Sequence, residues 1–167
     1  MAAELTQAGL EALASQVGET LLARGEMLAT AESCTGGWVA QCLTAIAGSS
    51  VWFERGFVTY SNQAKMDMLG VPQTLLEKHG AVAEATARAM AQGAVEHSRA
   101  QWSLAITGIA GPGGGSAEKP VGLVCFAWAR AEGGCIARSA RFEGDREAVR
   151  RQAVAFALNG LLEQLVN

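Results

Sequence analysis

The sequence is short of the residues that build metal cages, disulfide frameworks and membrane spans. It has two histidines, His79 and His97, so a histidine-rich metal site is not expected. Its four cysteines, Cys34, Cys42, Cys125 and Cys135, show no C-x-x-C spacing and read as free thiols, neither paired nor ligating zinc. No apolar run reaches the roughly 18 residues that a membrane-spanning helix needs. Met1-Ala2-Ala3-Glu4 has no basic region followed by an apolar one, so no signal peptide is expected. These absences lead us to expect a cytoplasmic protein with no membrane partner. Charge is sparse too: 17% of residues are charged and the net charge is −3. A basic face for nucleic acid is therefore not expected. There are three prolines and a single tyrosine, Tyr60.

Half of the 167 residues are apolar. That excludes disorder, and the length suits one domain over residues 1–167 with a full core. Leu10, Leu13, Ala14, Val17 and Leu21 recur at helical spacing, and Gly25 stops that helix. Met27 to Ala31 predicts a strand. A helix follows from Gly36 to about Ala47. Gly56 to Tyr60 predicts a second strand, and Ser61 caps a short helix, Asn62 to Leu69, that ends at Gly70-Val71-Pro72. After a short helical segment from Thr74 to Lys78, Glu84 opens a helix carrying Ala87, Met90, Ala91, Ala94 and Val95. Trp102, Leu104 and Ile106 alternate as in a strand. Val121 to Ala129 is apolar on both faces, as in a central strand. Gly133-Gly134 turns it into an antiparallel partner, Cys135 to Phe142. Asp145 caps a last helix with Val154, Leu158, Leu161 and Leu165 on one stripe. The pattern predicts a single three-layer α/β/α domain with a mixed, mostly parallel sheet.

Two strand-to-helix junctions and one loop carry the chemistry. The first is Ala31-Glu32-Ser33-Cys34-Thr35-Gly36-Gly37. Ser33 and Thr35 stand at a helix entrance, where unpaired N–H groups and the helix dipole favour an anion or a developing oxyanion; an ordinary cap is the plainer reading. The second junction carries Tyr60, Ser61, Asn62 and Lys65. If the two strands are neighbours, their carboxyl ends lie side by side and Tyr60 and Lys65 face Ser33. Serine needs a base, and a lysine desolvated near a helix start can lose its proton near neutral pH. Ser–Lys pairs are a variant of the serine triad. Tyr60 would orient or relay the proton, or hydrogen-bond the substrate.

Cys34 is a rival nucleophile, because Glu32, Lys65 and Cys34 would make the Glu-Lys-Cys set of nitrilase-type amidases. A strand pleat lets only one of Ser33 and Cys34 face the site, and Ser33 is favoured. Glu32 ends a strand, placed either to bind substrate or to pin the turn. The loop Thr107 to Ser116 holds five glycines in ten residues, including Gly108 and Gly111. It can bring main-chain N–H groups close to a phosphate or a ring. Arg141, Arg146, Arg150 and Arg151 cluster around the last helix, either as a phosphate clamp or as a solvated face paired with Glu147. Enzyme and non-catalytic nucleotide-binding module both remain open on these features, and the lysine beside Ser33 favours the enzyme.

Thr30 to Gly37, Gly56 to Asn62 with Lys65, Thr107-Gly108-Ile109-Ala110-Gly111-Pro112 with Gly114-Gly115, Lys119-Pro120-Val121-Gly122, and Asp145-Arg146 with Val149-Arg150 together resemble the C-terminal domain of the CinA proteins. Closer still are the stand-alone nicotinamide-nucleotide amidohydrolases of that family, and the likeness runs from about Leu5 to Leu165. The resemblance implies an α/β/α domain that deamidates nicotinamide mononucleotide to nicotinate mononucleotide and ammonia in pyridine nucleotide salvage. It implies no cofactor and no metal. The family's serine, lysine and tyrosine map to Ser33, Lys65 and Tyr60. Substrate-binding roles are expected for Glu32, Thr35, Gly36, Gly37, Asn62, Thr107, Gly108, Gly111 and Arg146. A homodimer is expected, with Trp38, Trp52 and Phe53 available to build it, although core packing is the plainer role for them. The pyrophosphatase-like domain of CinA and its activity are expected to be absent. Ala83 departs from the family where a serine cap is expected, as does Gly113 where an acidic residue is expected.

Overall fold

A computed structural model describes residues 5–167, so Met1 to Glu4 lie outside the described residues. Helix α1 (Gln7–Arg24) starts where the Thr6 hydroxyl accepts from the Gly9 N–H, and ends at Gly25 in the left-handed conformation. Strand β1 (Leu28–Glu32) follows, then α2 (Trp38–Thr44), a 3-10 turn (Ser49–Val51) and β2 (Phe53–Val58). Next come α3 (Asn62–Leu69), α4 (Gln73–His79), α5 (Glu84–Glu96) and β3 (Trp102–Gly108). The chain closes with β4 (Leu123–Arg130), β5 (Cys135–Arg141) and α6 (Arg146–Leu165).

The five strands form one sheet in the order β2-β1-β3-β4-β5. Pairing is parallel for β1 with β2 and with β3, and antiparallel across β3–β4 and β4–β5. Only β4 therefore runs against the other four. Helices α1, α2 and α6 cover one face and α3, α4 and α5 the other, which makes the expected three layers.

The two faces differ in side-chain size. Leu28, Leu104, Ile106, Val124, Phe126 and Trp128 point toward α1 and α6. The opposite face presents Ala29, Ala31, Ala105, Ala127 and Ala129 to the alanines of α5, Ala87, Ala91 and Ala94. Small residues on both sides let α5 settle close against the sheet. It comes close enough for the Ser103 hydroxyl to donate to the Ala91 carbonyl at 2.6 Å. The alternation in β3 accordingly does not separate a wet face from a dry one, since Trp102 to Thr107 are buried throughout.

Two boundaries depart from the sequence reading for conformational reasons. Gly36 and Gly37 have φ of 60° and 101°, so they form the turn ahead of α2 and not its first residues. Strand β2 begins at Phe53, three residues before Gly56, because its register follows β1 from Leu28 onward. Helix α5 starts at Glu84 behind Ala83 without any side-chain cap. Trp52 is buried against Gly18, while Trp38 and Phe53 pack against the core beside it. All three aromatics contribute to packing, Trp52 fully and Trp38 and Phe53 in part. No helix among the described residues is long and apolar enough to cross a membrane.

Candidate active site

Strands β1 and β2 are parallel neighbours, so the junctions that follow them emerge side by side. Ser33 leaves the end of β1 held by its own N–H, which donates to the Ile106 carbonyl of β3 at 3.0 Å. The chain after β2 is tied to the same point, with the Thr59 N–H donating to the Glu32 carbonyl at 2.9 Å. Ser61 then caps α3 through the Ala64 N–H, and that helix turns Lys65 inward.

Lys65 is 1% exposed, one of the largest fully buried side chains in the molecule. Its Nζ lies 3.0 Å from Ser33 Oγ, 3.0 Å from the Thr59 carbonyl oxygen and 3.3 Å from that of Tyr60. No carboxylate is among these partners. Burial lowers the ammonium's pKa from its ordinary value. A neutral amine has two N–H bonds and one lone pair. With the Thr59 and Tyr60 carbonyls accepting two N–H bonds, the neutral form of the amine would keep its lone pair for Ser33 Oγ. Ser33 is 7% exposed and opens onto a cavity of about 280 Å³.

That cavity brings together Ser33, Tyr60, Lys65, Thr107, Gly108, Gly111 and Arg146 from the expected set. The rest of its wall is Cys34, Ile109, Ala110, Gly113 and Gly114, the last four from the glycine-rich loop already singled out, and Ala81 and Val82 from the α4–α5 connection, for which the sequence carries no signal. Thr107 ties two of these walls together, its hydroxyl donating to the Ala81 carbonyl at 2.7 Å. Among the described residues, Lys65 and Arg146 are the only ionisable basic or acidic side chains that line the cavity.

Glu32, Thr35, Gly36, Gly37 and Asn62 are placed elsewhere. Glu32 is buried, and its carboxylate accepts from the Thr35 hydroxyl at 2.7 Å, the Val39 N–H at 2.9 Å and the Ala40 N–H at 3.0 Å. It is a buried hydrogen-bond acceptor at the start of α2, bonded within the protein instead of facing the cavity. Burial raises its pKa while those three donors oppose the rise. The pinned turn, not a substrate contact, is what Glu32 and Thr35 supply. Gly36 and Gly37 line a different groove with Gln7, Trp38 and Arg150. Asn62 lines a third with Met66, Gln73 and Leu76.

Cys34 borders the cavity, but its thiol is pushed up to about 12, mainly by burial. It is a protonated thiol at neutral pH, and no base is bonded to it. Tyr60 meets the Ser33–Lys65 pair through its main-chain carbonyl; its ring is 63% exposed and its hydroxyl accepts from Arg146 at 3.1 Å. The arginines divide their work. Arg150 holds the Cys34 and Thr35 carbonyls from behind the turn. Arg151 pairs with Glu147. Arg146 reaches into the cavity. Among the described residues, no three histidine, cysteine, aspartate or glutamate side chains converge to hold a metal ion.

The sequence and the fold match a known family. The CinA C-terminal domain model covers residues 10–165, and the chain belongs to that family. The nicotinamide-nucleotide amidohydrolase PncC of Escherichia coli K12 is 57% identical over 162 residues, which span 97% of this chain and 98% of that protein. The PncC protein of Pseudomonas putida is 49% identical, with 90% of this chain and 94% of its own length aligned. Among solved structures, the competence/damage inducible protein CihA from Agrobacterium tumefaciens superimposes with a TM-score of 0.92 at 46% identity, over the full length of both chains.

Proposed function

We propose that the protein hydrolyses the carboxamide of nicotinamide mononucleotide to give nicotinate mononucleotide and ammonia, in pyridine nucleotide salvage, with Ser33 as nucleophile and Lys65 as general base. The observation that carries this reading is the 3.0 Å contact between a buried Lys65 Nζ and Ser33 Oγ. The high identity to amidohydrolases of that name along almost the whole chain supports the substrate class.

Lys65 takes the Ser33 proton as Oγ attacks the carboxamide carbon. The resulting oxyanion is stabilised by main-chain N–H groups of the glycine-rich loop, which border the same cavity. The N–H groups of α2 are poorer candidates, because Val39 and Ala40 already donate to Glu32 and the Gly36 N–H donates to the Ser33 carbonyl. As the intermediate collapses, Lys65 returns the proton to the leaving nitrogen and ammonia departs. Water, deprotonated by the same amine, then cleaves the acyl ester and frees Ser33. Tyr60 assists through its carbonyl oxygen, which fixes the Lys65 amine. No step calls for a cofactor or a metal.

The four free cysteines accord with a reducing, cytoplasmic setting. A homodimer remains part of the reading on family resemblance alone. A non-catalytic nucleotide-binding module is the competing reading; a lysine buried against a serine, with no carboxylate to neutralise it, favours catalysis over it. The test is ammonia release from nicotinamide mononucleotide by the purified protein in the presence of a chelator, with Ser33→Ala and Cys34→Ala in parallel. Release by wild type and Cys34→Ala but not by Ser33→Ala is the expected result. Loss in Cys34→Ala alone would move the nucleophile by one residue. Binding without release by wild type would favour the binding module.

A further inference from the structure

The turn that carries Ser33 has little conformational preference of its own. Gly36 and Gly37 follow within four residues, at φ of 60° and 101°, and glycine meets no side-chain barrier to leaving those angles. Inside the turn, the Gly36 N–H reaches the Ser33 carbonyl and the Trp38 N–H reaches the Thr35 carbonyl, each at 3.0 Å. A further restraint arrives from α6, 116 positions beyond Cys34. Arg150 Nε donates to the Cys34 carbonyl at 3.0 Å, and a terminal nitrogen donates to the Thr35 carbonyl at 3.3 Å. Among the described residues, five arginines form ion pairs, Arg24, Arg55, Arg130, Arg138 and Arg151, and Arg150 is not among them. Its half-buried guanidinium is spent on two neutral carbonyls of one turn. It is itself held flat, 5.5 Å from the centre of the Trp38 ring, and Trp38 is pinned by donating to the Gln7 side-chain oxygen at 2.9 Å. Arg150 faces the groove behind the turn and not the cavity in front of it.

We propose that Arg150 is a positioning residue for the hydrolysis: it fixes the two peptide groups after Ser33 from behind, and so keeps Ser33 Oγ on the Lys65 amine. The proposal rests on the reading of Ser33 as nucleophile. Each peptide group is a rigid plane, so bonding the Cys34 and Thr35 carbonyls to one planar fork sets two consecutive planes together. Cys34 shares a peptide bond with Ser33, and a turn that shifts at Cys34 carries the nucleophile with it. Without Arg150, the Cys34 and Thr35 carbonyls lose their charged donor where both residues are buried, beside two glycines free to move. The contact at stake is the 3.0 Å between Ser33 Oγ and Lys65 Nζ. A displacement of about 1 Å there costs on the order of a hundredfold in rate. Substrate affinity is left alone, because Arg150 reaches no part of the cavity wall except through the turn.

Two measurements test this on purified wild type, Arg150→Met and Arg150→Lys. The first is steady-state hydrolysis of nicotinamide mononucleotide. Arg150→Met is expected to lower kcat by about ten- to a hundredfold while KM moves by less than about threefold. Arg150→Lys keeps the charge but cannot hold both carbonyls in one plane, and falls between. A loss confined to KM would overturn the proposal. The second is the labelling of Ser33 by a fluorophosphonate, in which Oγ displaces fluoride from phosphorus, followed by mass spectrometry of the intact protein and its peptides. It needs no pyridine nucleotide, so it judges Arg150 even if the protein acts on a different amide. The rate constant of labelling should fall by about tenfold or more in Arg150→Met, with the final labelled fraction unchanged. Arg150→Lys, and added guanidinium ion on Arg150→Met, should each bring part of that rate back. A smaller labelled fraction at an unchanged rate constant would mean that Arg150 serves only folding, and would overturn the proposal. So would equal rate constants in wild type and both variants.

Discussion

Lys65 Nζ stands 3.0 Å from Ser33 Oγ, although the two residues are 32 positions apart in sequence, and the pairing of β1 with β2 brings them together. The amine is buried, and its other two partners are the Thr59 and Tyr60 carbonyls, with no carboxylate among them.

The first prediction concerns pH. Burial lowers the Lys65 pKa, so the neutral, active amine becomes dominant below the roughly 10.4 of an ordinary lysine. The profile of kcat/KM should rise with pH and level off before that value. Lys65→Arg should abolish turnover, about a thousandfold or more, because a guanidinium keeps its proton at any accessible pH. A rate that continues to climb through pH 10 would assign the base elsewhere.

The same group makes a prediction about stability. Between the lowered folded pKa and the ordinary unfolded one, the unfolded chain binds a proton that the folded chain does not. Folding stability therefore rises with pH across that window, by at most about 1.4 kcal/mol per pH unit from this group. Lys65→Met should lack that increment. Denaturant titrations of both proteins at several pH values between 7 and 10 should show the wild type gaining on the variant.

Glu32→Ala should be costly without touching the cleft. It strands the Thr35 hydroxyl and the Val39 and Ala40 N–H groups at the start of α2. The expected loss is about 3 kcal/mol of stability, read by chemical denaturation, with activity falling because the Ser33 turn loosens. Glu32→Gln should fall between, since its amide oxygen retains one acceptor.

Gly93 is the contact that seats α3 against α5. A Cβ placed there would meet the Leu69 carbonyl oxygen at 2.1 Å, and that backbone cannot swing aside as a side chain would. Gly93→Ala should cost about 2 kcal/mol and lower turnover together, because the displaced helix is the one that carries Lys65. Thermal melting and ammonia release measured on the same preparation check the coupling.

Much of this arrangement was legible locally. Ser61 and Gly70 bound α3 at Asn62 and Leu69, because a side-chain cap and a left-handed glycine act within a few residues of sequence. Ser33 and Lys65 could be paired from two strand-to-helix junctions once the strands were taken as neighbours. What was not legible depends on angles between distant elements. Glu32 looks like a ligand at a strand end, and only the crossing of α2 over β1 turns its carboxylate onto Val39 and Ala40. The contact between the Tyr60 hydroxyl and Arg146 exists only because α6 returns 86 positions later. Asn62, read as a substrate contact, lines a separate groove with Met66, Gln73 and Leu76.

The pairing of β1 with β2 has a consequence for how the protein can be assayed. Glu32 and Ser33 point to opposite faces of the sheet, as consecutive strand residues must. One is bonded at the start of α2, and the other meets Lys65 from α3 across the sheet. A slip of one residue in β1 would exchange them, setting a carboxylate beside the amine and a hydroxyl beneath α2. Such a molecule could stay compact and keep its helix content, yet it would be silent. Turnover per mole of protein is therefore a gauge of strand register, sensitive to an error that bulk spectroscopy passes over.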